Sequence, residues 1–253
     1  MQFCDADILY IKNHFPYPYN TPEKFGDYLL PKIQHHDTLC TAVIAEVKNT
    51  ILPLLIKKYS YRFFCRIDAD HKIKQPASII DKIIRSAKPD TGKAALEPVT
   101  IENFSTMMKD LARFRIVCNF LNDVKEVTDA LKESIILNKK FIISTKTTMD
   151  LHPGSRKSGE RSIKLILEYK DKDDDHSGLF LEIQVMTQLS ESWDKKDHFL
   201  VYELRRRFPD KEDEHFPDYL DAKMHAMGEL LYVADTYFEA LRASREEEEK
   251  EIS

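Results

Sequence analysis

The strongest constraint on this chain lies between Ser162 and Thr187. SIKLILEY alternates, with Ile163, Leu165, Leu167 and Tyr169 on one side and Ser162, Lys164, Ile166 and Glu168 on the other. After the polar KDKDDDHSG, LFLEIQVMT alternates again, setting Leu179, Leu181, Ile183 and Val185 against Phe180, Glu182, Gln184 and Met186. Side chains of a strand point to opposite faces at period two, so each run is a strand with one face in a core. The spacer joins them as a hairpin with a long solvated loop. Glu182 and Gln184 are then neighbours on the second face, and a basic glycine turn bearing Lys157 and Arg161 opens the strand that carries Lys164. A plain solvated face satisfies the same pattern, so the surrounding residues must decide.

Around this hairpin, strands and helices mix without strict βαβ repetition. Thr21 to Tyr59 has apolar residues at helical spacing (Leu39, Val43, Ile44, Val47, Ile51, Leu54, Leu55), which predicts one or two helices. Lys74 to Ser86 reads as a helix with Pro76 in its first turn and an isoleucine stripe at 79, 80, 83 and 84. A loop over 87–100, a short helix near Asn103–Lys109, a strand RFRIVCNF, a helix from Asn122 or Asp123 and a strand FIIS complete the middle. FPYPYN marks residues 1–20 as an arm on the body, and PDYLDAKMHAMGELLYVADTYFEALRA reads as a long amphipathic helix whose apolar stripe enters the core. EEEEKE reads as a frayed, solvated end.

A chain of 253 residues, 42% hydrophobic and 32% charged, has material for one sizeable core with helical additions. It contains no run of ~18 apolar residues, and MQFCDADILYIKNHF lacks the basic start and small-residue cleavage site of a signal peptide. A cytoplasmic protein with no membrane partner is expected. Cys4, Cys40, Cys65 and Cys118 form no CxxC pair, which argues against a zinc knuckle or a disulfide framework and for buried thiols. A net charge of −5 argues against bulk nucleic-acid binding and leaves a local basic site to be found.

That site has residues to build it. Ser78 and Lys82 share a helix face opposite the isoleucine stripe, and Lys74 sits just before the helix. Two ammonium groups and a hydroxyl near a helix N-terminus suit a polyphosphate, although an ordinary solvated face has the same spacing. Asp110 precedes RFRIVCNF and, with Glu182, supplies hard oxygen donors that can hold a divalent cation against phosphate oxygens. Arg115, Arg156, Lys157, Arg161 and Lys164 add positive charge in and around the same sheet.

IKQPASIIDKI, DLARFRIV, SGERSI, LEIQVMT and WDKKDHFLVY, in that order, resemble the synthetase domain of the RelA/SpoT family, its short stand-alone members in particular, over residues 60–205. The resemblance implies an α/β (α+β) class, a nucleotidyltransferase-like mixed sheet flanked by helices, with helical extensions over 1–59 and 206–253. It implies transfer of pyrophosphate from ATP to the 3′-hydroxyl of GDP or GTP, making (p)ppGpp, with Mg2+. By this resemblance Lys74, Ser78 and Lys82 match the donor-phosphate residues, Asp110 the magnesium carboxylate, and Arg115 the arginine that packs on the donor adenine. Lys72 stands where an arginine normally completes that sandwich. Glu182 matches the acid proposed to bind metal or activate the 3′-hydroxyl, and Gln184 its neighbour. Arg156 falls where a lysine is usual, and Gly159, Arg161 and Ser162 match the acceptor loop. Trp193, His198 and Tyr202 match a motif read as structural.

The family loop reads Gly-Tyr-Arg-Ser-x-His, whereas this chain has Gly159-Glu160-Arg161-Ser162-Ile163-Lys164, without the stacking ring or the histidine. Three readings follow. In one, Glu160 accepts the guanine N1–H and N2–H₂ edge. In another the acceptor is an adenine nucleotide or the tRNA 3′ end, with Arg205, Arg206 and Arg207 on RNA phosphates and an antitoxin as partner. In the third the chain is a nucleotide-binding regulatory module without catalysis. A homo-oligomer through the terminal helices is a further expectation.

Overall fold

In the computed structural model, five extended segments form one sheet: β1 (Cys65–Asp68), β2 (Ala112–Cys118), β3 (Phe141–Thr147), β4 (Ile163–Tyr169) and β5 (Phe180–Thr187), in the spatial order β1-β2-β5-β4-β3. The structure describes residues 3–59, 63, 65–70, 72–86, 98–147, 159–171, 176–204 and 218–252. β2 runs parallel to β5 and every other pairing is antiparallel, which makes the sheet mixed. The hairpin register sets Leu165 opposite Ile183 and Ile166 opposite Glu182, as the alternation requires.

The helices are α1 (Asp5–His14), α2 (Pro22–Glu46), α3 (Leu52–Tyr59), α4 (Pro76–Ser86), α5 (Phe104–Met107), α6 (Leu121–Glu133), α7 (Ile135–Lys140), α8 (Gln188–Asp197) and α9 (Asp218–Ile252). A π-helical turn over Val47–Ile51 joins α2 to α3 into one rod, and a second over His198–Tyr202 extends α8. By length and composition the Pro22–Tyr59 rod is apolar enough to cross a membrane. Its apolar side instead lies on the sheet, where Leu39, Val43, Val47, Ile51 and Leu55 join Phe114, Ile116, Leu165, Leu181, Ile183 and Val185 in the main core. Val124, Val127 and Leu131 of α6 close the same face. A second cluster gathers Ile11, Phe15, Phe25 and Leu29 against Ile79, Ile80 and Ile83 of α4, so the isoleucine stripe is buried as its spacing predicts.

Three expectations need correcting, and one strand goes beyond them. Residues 5–14 are helical because Ile11 and Phe15 have an aromatic pocket to fill, and only the proline-containing FPYPYN stays irregular. β1 is a strand that its short CRID sequence does not announce. The chain's end is helical to Ile252, supported by Arg242–Glu246 and Arg245–Glu249 pairs one turn apart. Finally, the apolar stripe of α9 faces outward: Leu230 is 63% and Tyr237 65% exposed, because the helix docks by other residues.

Candidate active site

With helices over one face of the sheet, the other carries its polar residues. Register places Arg113 beside Glu182 and Arg115 beside Gln184, with Asp68 of β1 opposite Arg115 and Lys164 of β4 opposite Gln184. Residues directly opposite one another share a face, so four neighbouring strands present this set together. α4 flanks it with Ser78 and Lys82, its isoleucines being turned the other way. Between them opens a cleft of about 880 Å³, lined by Lys74, Ser78, Lys82, Arg85, Asp110, Arg113, Arg115, Asp194, His198 and Tyr202, among others.

Asp110 organises the cationic end. Its two carboxylate oxygens accept from Lys74 at 2.7 Å and from Lys82 at 2.6 Å. Burial works to raise its pKa, but the two ammonium groups outweigh this and hold the carboxyl well below the usual range. Burial in turn lowers the pKa of Lys74, against the pull of Asp110. The cleft thus holds a carboxylate kept ionised between two cations whose reach is fixed in advance.

A second chain of contacts fixes the sheet-borne acid. Asp194 of α8 pairs with Arg115, Arg115 Nε donates to Gln184 Oε1 at 3.1 Å, and Gln184 Nε2 donates to Glu182 Oε1 at 2.6 Å. Glu182 and Gln184 are both buried. Gln184 therefore has its amide oriented by an arginine on one side, which commits its N–H to Glu182 on the other. Glu182 does not itself appear on the wall of the cleft; it lies on the adjoining part of the polar face.

Not every sequence candidate converges. Lys74, Ser78, Lys82, Asp110 and Arg115 meet in the cleft. Lys72 is elsewhere: its ammonium bonds Asp37 at 2.9 Å and Thr41 at 2.7 Å, both on α2. Glu160 is engaged within its own loop, by Lys164 at 2.5 Å and by the Ser162 hydroxyl at 3.1 Å. Arg161 is buried against α9, pairing with Glu229. Gly159 takes φ 77°, the left-handed conformation that favours glycine. Arg156, Lys157 and Arg205–Arg207 lie outside the described residues.

Trp193 is structural, buried with its indole N–H on the Met224 carbonyl at 2.7 Å. His198 departs from the packed-core expectation: it lines the cleft, lies tilted against Tyr202 with ring centroids 4.7 Å apart, and has its pKa lowered by burial. Arg85, Arg113 and Asp194 are among the cleft residues that the sequence reading leaves out. Arg85 is seven residues beyond Ser78 and three beyond Lys82, so its place on their helix face was legible; Arg113 is two before Arg115, also legible. Asp194 had no signal, since only tertiary packing brings α8 to β2.

Among the described residues no group of three or more histidine, cysteine or acidic side chains is arranged for a metal. Asp110, on the cleft wall, offers the hard carboxylate oxygens that magnesium takes when it is held by one carboxylate together with substrate phosphates.

The family model described as "Region found in RelA / SpoT proteins" matches residues 71–207. GTP pyrophosphokinase YwaC of Bacillus subtilis (strain 168) is 28% identical over 160 residues, 60% of this chain and 69% of that protein. GTP pyrophosphokinase YjbM of the same organism is 25% identical over 173 residues, 65% of this chain and 74% of that one. Among solved structures, the small alarmone synthetase 1 from Bacillus subtilis superposes with a TM-score of 0.60 at 20% identity, over 89% of this chain and 99% of that one. That protein has also been crystallised with its product pppGpp and with AMPCPP. A GTP pyrophosphokinase family protein from Streptococcus pneumoniae gives a TM-score of 0.58 at 20% identity, over 88% and 95% of the two chains. At such identities the superpositions speak for the fold, which is nucleotidyltransferase-like, while the match spanning α4 to α8 decides descent: the chain belongs to the RelA/SpoT family.

Proposed function

We propose that this chain transfers pyrophosphate from ATP to the 3′-hydroxyl of GDP or GTP, forming (p)ppGpp and releasing AMP. The observation that carries the reading is the cleft in which Lys74 and Lys82 converge on Asp110, with Ser78, Arg85, Arg113 and Arg115 on the same wall. Such a concentration of fixed cations meets a triphosphate without reorganisation, which is the main requirement of phosphoryl-type transfer. Arg115 offers its guanidinium plane for the adenine, and its ion pair with Asp194 keeps that plane in place.

In this reading Glu182 takes the proton of the attacking 3′-hydroxyl, and Gln184 aims the carboxylate. Asp110 is the residue that would hold magnesium. When bound, it neutralises charge on the phosphate oxygens. Lys164 and the loop Gly159–Ser162 receive the acceptor. A guanine edge reaching Glu160 has to compete with Lys164 and Ser162 for that carboxylate, which makes recognition depend on how tightly the loop is held. The GTP pyrophosphokinase relatives favour a guanine nucleotide over an adenine nucleotide, a tRNA end or a non-catalytic module. In this reading the activity is cytoplasmic, where such nucleotides are abundant.

The test is incubation with γ-labelled ATP, magnesium and, in parallel, GDP, GTP, AMP or bulk tRNA, followed by separation of the products. Label on a guanine nucleotide is expected. Label only on AMP or tRNA overturns the acceptor, and no label on any, with ATP still bound, overturns catalysis.

A further inference from the structure

The long C-terminal helix reaches the acceptor loop by a single face. Met224, Gly228, Tyr232, Asp235, Glu239 and Arg242 recur at intervals of three and four and so share one face of α9. Along that face the Trp193 indole donates to the Met224 carbonyl, the Thr187 hydroxyl donates to Asp235, Asn122 donates to Glu239 at 2.8 Å, and Arg242 pairs with Asp123 at 2.8 Å. The helix therefore passes the ends of β5 and β2 and the start of β4.

Its closest approach is to the acceptor loop. A Cβ on Gly228 would stand 2.5 Å from the Gly159 carbonyl oxygen and 2.9 Å from the Gly159 Cα, so the two backbones touch only because both residues are glycine. Beside this contact Glu229 pairs with the guanidinium of Arg161, which lies 4.6 Å over the ring of Tyr232. Arg161 is 5% exposed. An arginine this buried needs its charge met by fixed partners, and a helix 68 positions further along the chain supplies an anion and a π face. The loop Gly159–Ser162 has no aromatic side chain to brace it from within.

We propose that α9 is the rear wall of the acceptor site, with Glu229 and Tyr232 as positioning residues that hold Arg161 and thereby shape the loop that receives the guanine nucleotide. This rests on the pyrophosphotransfer reading. It makes acceptor use depend on a helix that the family match, ending at residue 207, does not include.

Steady-state kinetics with ATP and GDP varied separately test it, on Glu229→Gln, Tyr232→Leu, Tyr232→Phe and Gly228→Ala, with Gly26→Ala as control because a Cβ there meets nothing within 4 Å. Glu229→Gln and Tyr232→Leu should raise KM for GDP by about tenfold or more and leave KM for ATP within about twofold. Gly228→Ala should follow them, Tyr232→Phe should stay near wild type because the ring remains, and Gly26→Ala should change neither constant. An unchanged KM for GDP in Glu229→Gln and Tyr232→Leu, or a KM for ATP rising in step, overturns the proposal while leaving the reaction intact. If the wild type binds GDP without transfer, the reaction is what fails, and the dissociation constants of the same variants for labelled GDP decide the positioning role by the same pattern. A wild type that neither transfers to nor binds guanine nucleotides overturns both.

Discussion

At the scale of single residues, the site is a set of fixed charges whose orientation depends on neighbours that do no chemistry. Gln184 is the clearest case: Arg115 takes its oxygen, which leaves the N–H for Glu182. Replacing Glu182 by Gln should abolish label transfer and leave the melting temperature near that of wild type. Gln184→Leu should cost about a hundredfold in kcat by disorienting the base, with a smaller rise in the KM for ATP, because the same amide also accepts from Arg115 on the cleft wall. Asp110→Asn removes the charge between Lys74 and Lys82 and should likewise abolish transfer; retained activity in that variant would remove Asp110 from the mechanism. Glu160→Ala should weaken GDP use while ATP binding, followed by calorimetry, holds. The charge pattern made Lys74, Lys82, Asp110 and Glu182 legible as candidates. Lys72, which only the family resemblance singled out, has its ammonium drawn to Asp37 and Thr41 on a helix more than thirty positions upstream.

At the scale of elements, α4 and α9 contrast. α4 follows the simple rule: apolar residues on one face enter a core, and the polar face lines the cleft. α9 reverses it, docking through Gly228, Glu229, Tyr232, Asp235 and Arg242 while Leu230, Val233 and Tyr237 face out. Its buried Asp235 gives this docking a pH dependence. Burial pushes the Asp235 pKa up to about 6, and the Thr187 hydroxyl offsets only part of that. In the unfolded chain an aspartate titrates at about 3.9, so the folded state is the better proton binder between the two values. The contribution of Asp235 to stability is thus fully present below about 3.9 and is lost as pH rises through about 6. Asp235→Asn, which carries no charge at any pH, should raise the melting temperature relative to wild type at pH 8 and match it at pH 4, as differential scanning fluorimetry across that range would read.

At the scale of the whole molecule, one mixed sheet separates two environments: a core sealed by the Pro22–Tyr59 rod and α6, and an open polar face that holds the chemistry. Ile183 lies fully buried in β5 between Glu182 and Gln184. Truncating it to Ala should cost about 2–5 kcal/mol of unfolding free energy, measured in urea, and lower activity only as far as β5 loosens. The sequence by itself determined the features written in local period: the alternation of β2, β4 and β5, the stripe of α4, and the cations and carboxylates on their polar faces. These depend on steps of two, three or four residues, which any folded backbone must honour. Tertiary structure decided what lies far apart in the chain. It recruited the short strand β1, set Arg115 against Gln184 across 69 positions and against Asp194 across 79, and laid α9 on the acceptor loop by a glycine contact. Such contacts arise from sheet order and helix docking, which minimise the free energy of the whole packed chain, and no local repeat records them.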